Sequence, residues 1–207
     1  MELINQESEI CTSNGATQGL TLLPMDQRGW LMGLRWVASP HWDLRPSDST
    51  VDLLVIHGIS LPPGEYGGGW IEALFTGTLP TAAHPYFASL AGLRVSAHLL
   101  IQRSGVAIQF VSLHHRAWHA GVSQFGDRTA CNDFSLGIEL EGTDTEPYTD
   151  VQYATLALLT RSLQQAFPAI TLDRIVGHST IAPGRKTDPG PSFDWERFRL
   201  SIQGNNY

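Results

Sequence analysis

A chain of 207 residues, 42% hydrophobic and 16% charged, is long enough for one domain with one sizeable core. Twenty acidic against thirteen basic residues leave a formal net charge of −7, which argues against non-specific nucleic-acid binding. No apolar run approaches the ~18 residues of a membrane helix, and MELINQESEICTSNG lacks the basic and apolar regions of a signal peptide.

Residues 1–28 are mostly polar and aperiodic and read as a poorly ordered leader, the apolar patch 20–23 excepted. The folded domain is expected over 29–207. Residues 51–57 (VDLLVIH) are apolar on both faces, as in a central buried strand, and run into the Pro- and Gly-rich loop GISLPPGEYGGG. Residues 94–101 alternate, and Ser104-Gly105 turns them into a second strand over 106–111, predicting a hairpin. Residues 134–141 alternate more cleanly: Phe134, Leu136, Ile138 and Leu140 oppose Ser135, Gly137, Glu139 and Glu141. Thr149-Asp150-Val151-Gln152 has the form of a capping box and opens a helix that Pro168 stops. A short strand over 174–177 delivers His178, a Pro- and Gly-rich loop spans 182–191, and a last helix starts near Asp194. This order predicts an α/β domain, a mixed central sheet flanked by helices.

Of the eight histidines, His57 and His178 each sit where an apolar strand gives way to a loop, the usual place for a site. Asp188 follows His178 by ten positions, and Lys186 precedes Asp188 by two. In an extended stretch Lys186 and Asp188 would share one side; a solvated surface pair is the plain alternative. Lys186 is the single lysine beside twelve arginines. Two histidines and a carboxylate fit a catalytic zinc site, in which the metal acidifies water and polarises a carbonyl. Hydrolysis also needs a group that accepts and returns a proton, and Glu139 suits it, with Glu141 an equal competitor by pattern. Lys186 would then stabilise an oxyanion. Cys131 has no evident base, and G-x-S-x-G, P-loop and G-x-G-x-x-G motifs are absent; Gly67-Gly68-Gly69 reads as a flexible lip.

The stretches LLVIHGISLPPGEYGG, ALFTGTL, AHPYF, LRVSAHLLIQR, RAWHAGVSQF, CNDFSLGIELEGTD, YTDVQY and GHSTIAPGRKTDPGPSFDWERF occur in this order. Together they resemble the AmpD-type N-acetylmuramoyl-L-alanine amidases of the amidase_2 family, from about Trp30 to Arg199. The resemblance implies the fold of T7 lysozyme and the peptidoglycan-recognition proteins. It also implies a cytoplasmic Zn(2+) enzyme of cell-wall recycling that cuts muramic acid from L-alanine in anhydromuropeptides. Its motifs assign His57, His178 and Asp188 to the metal, and Glu139 and Lys186 to catalysis. Arg94, Tyr86, Trp118 and His119 are candidates for contacts with the glycopeptide. Two positions depart from the family pattern: Gly58 stands where asparagine is usual, and Ala130 where arginine is common.

A monomer is expected, with no nucleic-acid or membrane partner; in a host with the circuit, such an enzyme indirectly restrains β-lactamase induction. Two other readings are a muropeptide-binding module without catalysis and an exported amidase that trims intact wall. The cysteines Cys11 and Cys131 make no disulfide framework, which favours the cytoplasmic reading.

Overall fold

The computed structural model describes residues 21–203. In chain order come the two-residue strands β1 (Arg35–Trp36) and β2 (Trp42–Asp43), the long strand β3 (Leu53–Ile59) and helix α1 (Trp70–Phe75). Then follow β4 (Leu99–Ile101), β5 (Ala107–Gln109), β6 (Arg116–Ala117), β7 (Gln124–Phe125), β8 (Arg128–Thr129) and a second long strand, β9 (Ser135–Glu141). Helix α2 (Asp150–Ala166), strand β10 (Ile175–Gly177), the short helix α3 (His178–Ile181) and helix α4 (Trp195–Gln203) complete the order. Six strands form one sheet, β1-β5-β4-β9-β3-β10, parallel except where β4 meets β5. This is the mixed, helix-flanked sheet that the sequence predicts.

The central strands are apolar because helices cover one face of the sheet and loops much of the other. Leu54 and Ile56 of β3 and Leu136, Ile138 and Leu140 of β9 share a core with Leu156, Leu159 and Leu163 of α2 and Phe198 of α4. Burying each such side chain contributes about 1.5–3 kcal/mol. All of β9 is buried, including Ser135, Gly137, Glu139 and Glu141. Its polar face therefore looks into the protein, where an unpaired carboxylate is costly.

Helix α2 begins as the capping box requires. Thr149 Oγ1 accepts the Gln152 N–H at 3.2 Å, and Gln152 Oε1 accepts the Thr149 N–H at 3.0 Å. Phe167 caps its end, before Pro168. The predicted hairpin forms but is shorter, with Leu99 opposite Gln109. Residues 94–98 are not strand: the Ser96 N–H donates to the Trp118 carbonyl and its hydroxyl to the His41 carbonyl, so the ladder stops there.

Residues 21–28, placed in the leader by sequence, pack against the domain. The Leu23 N–H donates to Ser162 Oγ at 3.0 Å, Met25 bridges to Leu31, and both side chains lie against the main core. Their apolar side chains supply the surface that makes this packing favourable. The rest of the predicted leader, residues 1–20 with Cys11, lies outside the described residues. Among the described residues, no helix is long and apolar enough to cross a membrane.

Candidate active site

β3 carries His57 in register with Glu139 of the parallel strand β9. β10 runs along the other side of β3 and ends at Gly177, so His178 at the start of α3 emerges beside His57. The following loop folds back on α3, where the Ser179 N–H donates to the Asp188 carbonyl at 3.0 Å. That contact brings the Asp188 side chain against both imidazoles.

His57 Nδ1 and His178 Nδ1 lie 3.0 Å apart, and Asp188 Oδ2 is 3.2 Å from the first and 3.1 Å from the second. The outer nitrogen of His178, Nε2, meets the Ala120 carbonyl at 3.1 Å. A carbonyl only accepts, so the ring proton sits on Nε2 and Nδ1 presents a lone pair. His57 is held similarly, its Nε2 lying 2.9 Å from His119 Nδ1. Lone pairs that converge in a buried site repel one another unless a cation lies between them, and this donor set is of the zinc type. His57, His178 and Asp188 could therefore hold a metal ion.

The protonation states agree. Burial pulls the His57 imidazole down to about 4, leaving it neutral as a ligand must be. Burial alone would raise the Asp188 carboxyl, but its closeness to the His178 and His57 imidazoles outweighs this and holds the group below the usual carboxylate range.

Glu139 Oε1 is 3.9 Å from His57 Nδ1, and its Oε2 is buried without a hydrogen-bond partner among the described residues. Burial, then the charge of Asp188, push its carboxyl well above the ordinary range, with Lys186 opposing. A buried carboxyl with a free oxygen is suited to exchanging a proton with an entering group. Glu141 is differently engaged. Its oxygens accept the backbone N–H groups of Gly67 at 2.6 Å and Arg103 at 3.0 Å. Two carboxylates that the strand pattern leaves equal thus have distinct environments.

A cavity of about 240 Å³ opens over these groups, with Tyr86, Trp118, His119, Glu139, Lys186 and Asp188 among its lining. Lys186 and Asp188 share it, though not from an extended segment: the Lys186 N–H closes a turn on the Ala182 carbonyl at 3.0 Å. Arg94 stands outside the lining, exposed in a loop, with its guanidinium 5.6 Å from the centroid of the Trp118 ring. His119 lines the cavity, yet its Nδ1 is occupied by His57. A methyl group on Gly137 would come within 2.6 Å of the His119 ring, so β9 needs a glycine there.

Sequence reasoning missed Tyr148. Its hydroxyl donates to the Pro189 carbonyl at 2.9 Å, next to Asp188. A methyl group on Gly58 would collide with that hydroxyl. Gly58 thus makes room for a support of the Asp188 loop. The Tyr148–Pro189 and His57–His119 contacts join residues 41 and 62 positions apart, and no local pattern signals either.

Donors that converge as if on a cation and a free carboxyl beside them lie in a cleft of an α/β protein whose mostly parallel sheet has the fold of AmpD and the T7-lysozyme-like amidases. The family model for N-acetylmuramoyl-L-alanine amidase matches residues 47–191. The chain belongs to that family, in its AmpD-type branch. It is 61% identical over 176 residues to the 1,6-anhydro-N-acetylmuramyl-L-alanine amidase AmpD of Escherichia coli (strain K12), covering 85% of this chain and 96% of that protein. A crystal structure of a Se-Met AmpD derivative matches with a TM-score of 0.83 at 60% identity, over 86% of this chain and 98% of that one. AmpDh3 of Pseudomonas aeruginosa in complex with anhydromuramic pentapeptide matches with a TM-score of 0.53 at 29% identity, over 75% and 62%.

Proposed function

We propose that this chain is a zinc-dependent amidase that hydrolyses the amide between (1,6-anhydro)-N-acetylmuramic acid and L-alanine in muropeptides. The observation that carries the reading is the His57–His178–Asp188 donor set beside a buried Glu139 with an unpartnered oxygen. His57, His178 and Asp188 would hold the zinc, which when bound would acidify water and polarise the carbonyl of the amide. Glu139 accepts the proton of the attacking water and returns it to the nitrogen of L-alanine, a task its raised proton affinity suits.

Lys186, a compact ammonium in the cavity lining, donates to the carbonyl oxygen as negative charge grows there. Tyr86 and Trp118 offer aromatic walls to the sugar, and Arg94 a cation to carboxylates of the stem peptide. His119 lines the cavity as well and also meets His57 through its Nδ1. The anhydro form of the sugar is supported by the relatives: AmpD is named for it, and AmpDh3 holds an anhydromuramic pentapeptide.

On this reading the enzyme is a cytoplasmic monomer that works on small recovered wall fragments. Its loss lets anhydromuropeptides accumulate, and in a host with the circuit that raises β-lactamase. Chromatography of the products tests the reaction: the protein releases L-alanyl peptide from anhydromuropeptide, a chelator stops release and zinc restores it. Binding without release would make the chain a muropeptide-binding module instead.

A further inference from the structure

We propose that Asn132 is a positioning residue for the metal site, acting through the dipeptide His119–Ala120. The inference rests on the reading of His57, His178 and Asp188 as metal ligands. Asn132 is absent from the cavity lining and from the donor set, yet the outer nitrogens of both imidazoles lead back to it.

His57 Nε2 meets the ring of His119 at 2.9 Å, and His178 Nε2 meets the carbonyl of Ala120, the next residue, at 3.1 Å. One dipeptide therefore receives both rings. Asn132 Oδ1 accepts the backbone N–H of His119 at 3.2 Å and that of Ala120 at 2.8 Å. The His119 ring is further confined by Gly137, where no side chain intrudes, and Arg185 donates to the Ala120 carbonyl at 2.6 Å.

The chemistry follows from the tautomers. A neutral imidazole carries its proton on either nitrogen, and the wrong choice turns an N–H toward the metal, where it cannot ligate. The Ala120 carbonyl accepts from His178 Nε2, and a His119 ring that takes the His57 Nε2 proton on its own Nδ1 would keep the second Nδ1 lone pair inward as well. Loss of the Asn132 oxygen frees two N–H groups at once and loosens the acceptors of two ligands together. Its effect should appear in metal affinity and ring tautomers, and not only in stability.

Competition for zinc between the full-length protein and a chromophoric chelator reads the first. Asn132→Ala is expected to weaken zinc about tenfold, while Asn132→Asp, which keeps an acceptor oxygen, stays within about threefold of the parent. Nitrogen-15 spectra of the metal-free full-length parent give a second readout, independent of how either variant folds. His57 and His178 are expected as Nε2–H tautomers in the parent and as mixtures in Asn132→Ala. Unchanged zinc affinity in Asn132→Ala, equal losses in both variants, or an Nδ1–H tautomer of His178 in the parent would each overturn the proposal. A parent that binds no zinc overturns the metal-site reading itself, a result distinct from a parent and variant that bind equally.

Discussion

His57 and Glu139 are register partners on adjacent parallel strands, with Glu139 Oε1 3.9 Å from His57 Nδ1. Paired positions of neighbouring strands project to the same face, so the sheet itself sets the carboxyl beside the donor set. Rigid strands hold such a spacing better than loops do. Glu139→Ala is expected to keep zinc and substrate binding and to lose about 10²–10⁴-fold in turnover. Peptide release measured beside a zinc titration checks this, and full activity in the variant would remove Glu139 from the reaction.

The neighbouring carboxylate has the opposite signature. Glu141 holds two backbone N–H groups, so Glu141→Ala is expected to cost about 2–3 kcal/mol. Glu139→Gln removes a carboxyl with an unpartnered buried oxygen and is expected to leave stability unchanged or raised. Urea denaturation of the two variants distinguishes these roles, and equal losses would contradict the assignment.

Lys186 is exposed, and its removal should register in chemistry more than in folding. Lys186→Ala is expected to lower kcat about 10²-fold while stability moves by no more than about 0.5 kcal/mol. A rise in KM alone, with kcat intact, would make Lys186 a binding group.

How much of this is legible in the sequence depends on the range of the contacts. The capping box of α2 is set within four residues and is readable; so is the shared face of Ser135, Gly137 and Glu139. Alternation says which residues share a face but not what covers it, so the burial of Glu139 is invisible to it. It also overextends the strand that ends at Ile101, because Ser96 spends its hydrogen bonds on Trp118 and His41. Strands of two residues have no period to detect. His57, His178 and Asp188 are named by their motifs, while the His57–His119, Tyr148–Pro189 and Asn132–Ala120 contacts are tertiary and no local spacing encodes them.

His98, outside the donor set, gives a pH dependence of its own. It is fully buried, and burial, then the charge of Arg45, pull its imidazole down to about 3 from an ordinary value near 6.5. The unfolded chain thus binds a proton that the folded chain refuses. The stabilisation is complete above the unfolded value and fades as pH falls through 6.5 toward 3. Between about pH 6 and pH 4.5 this group adds up to ~1.4 kcal/mol per pH unit to the slope of stability. Parent and His98→Gln compared by denaturation across this range should differ by roughly one proton, and parallel slopes would contradict the assignment.

Zinc stoichiometry, measured by equilibrium dialysis and elemental analysis, tests the donor set most directly. One zinc per chain is expected for the parent, with peptide release proportional to occupancy, and loss of both in Asp188→Ala. Undiminished zinc binding by Asp188→Ala, or full peptide release from rigorously metal-free protein, would contradict the site.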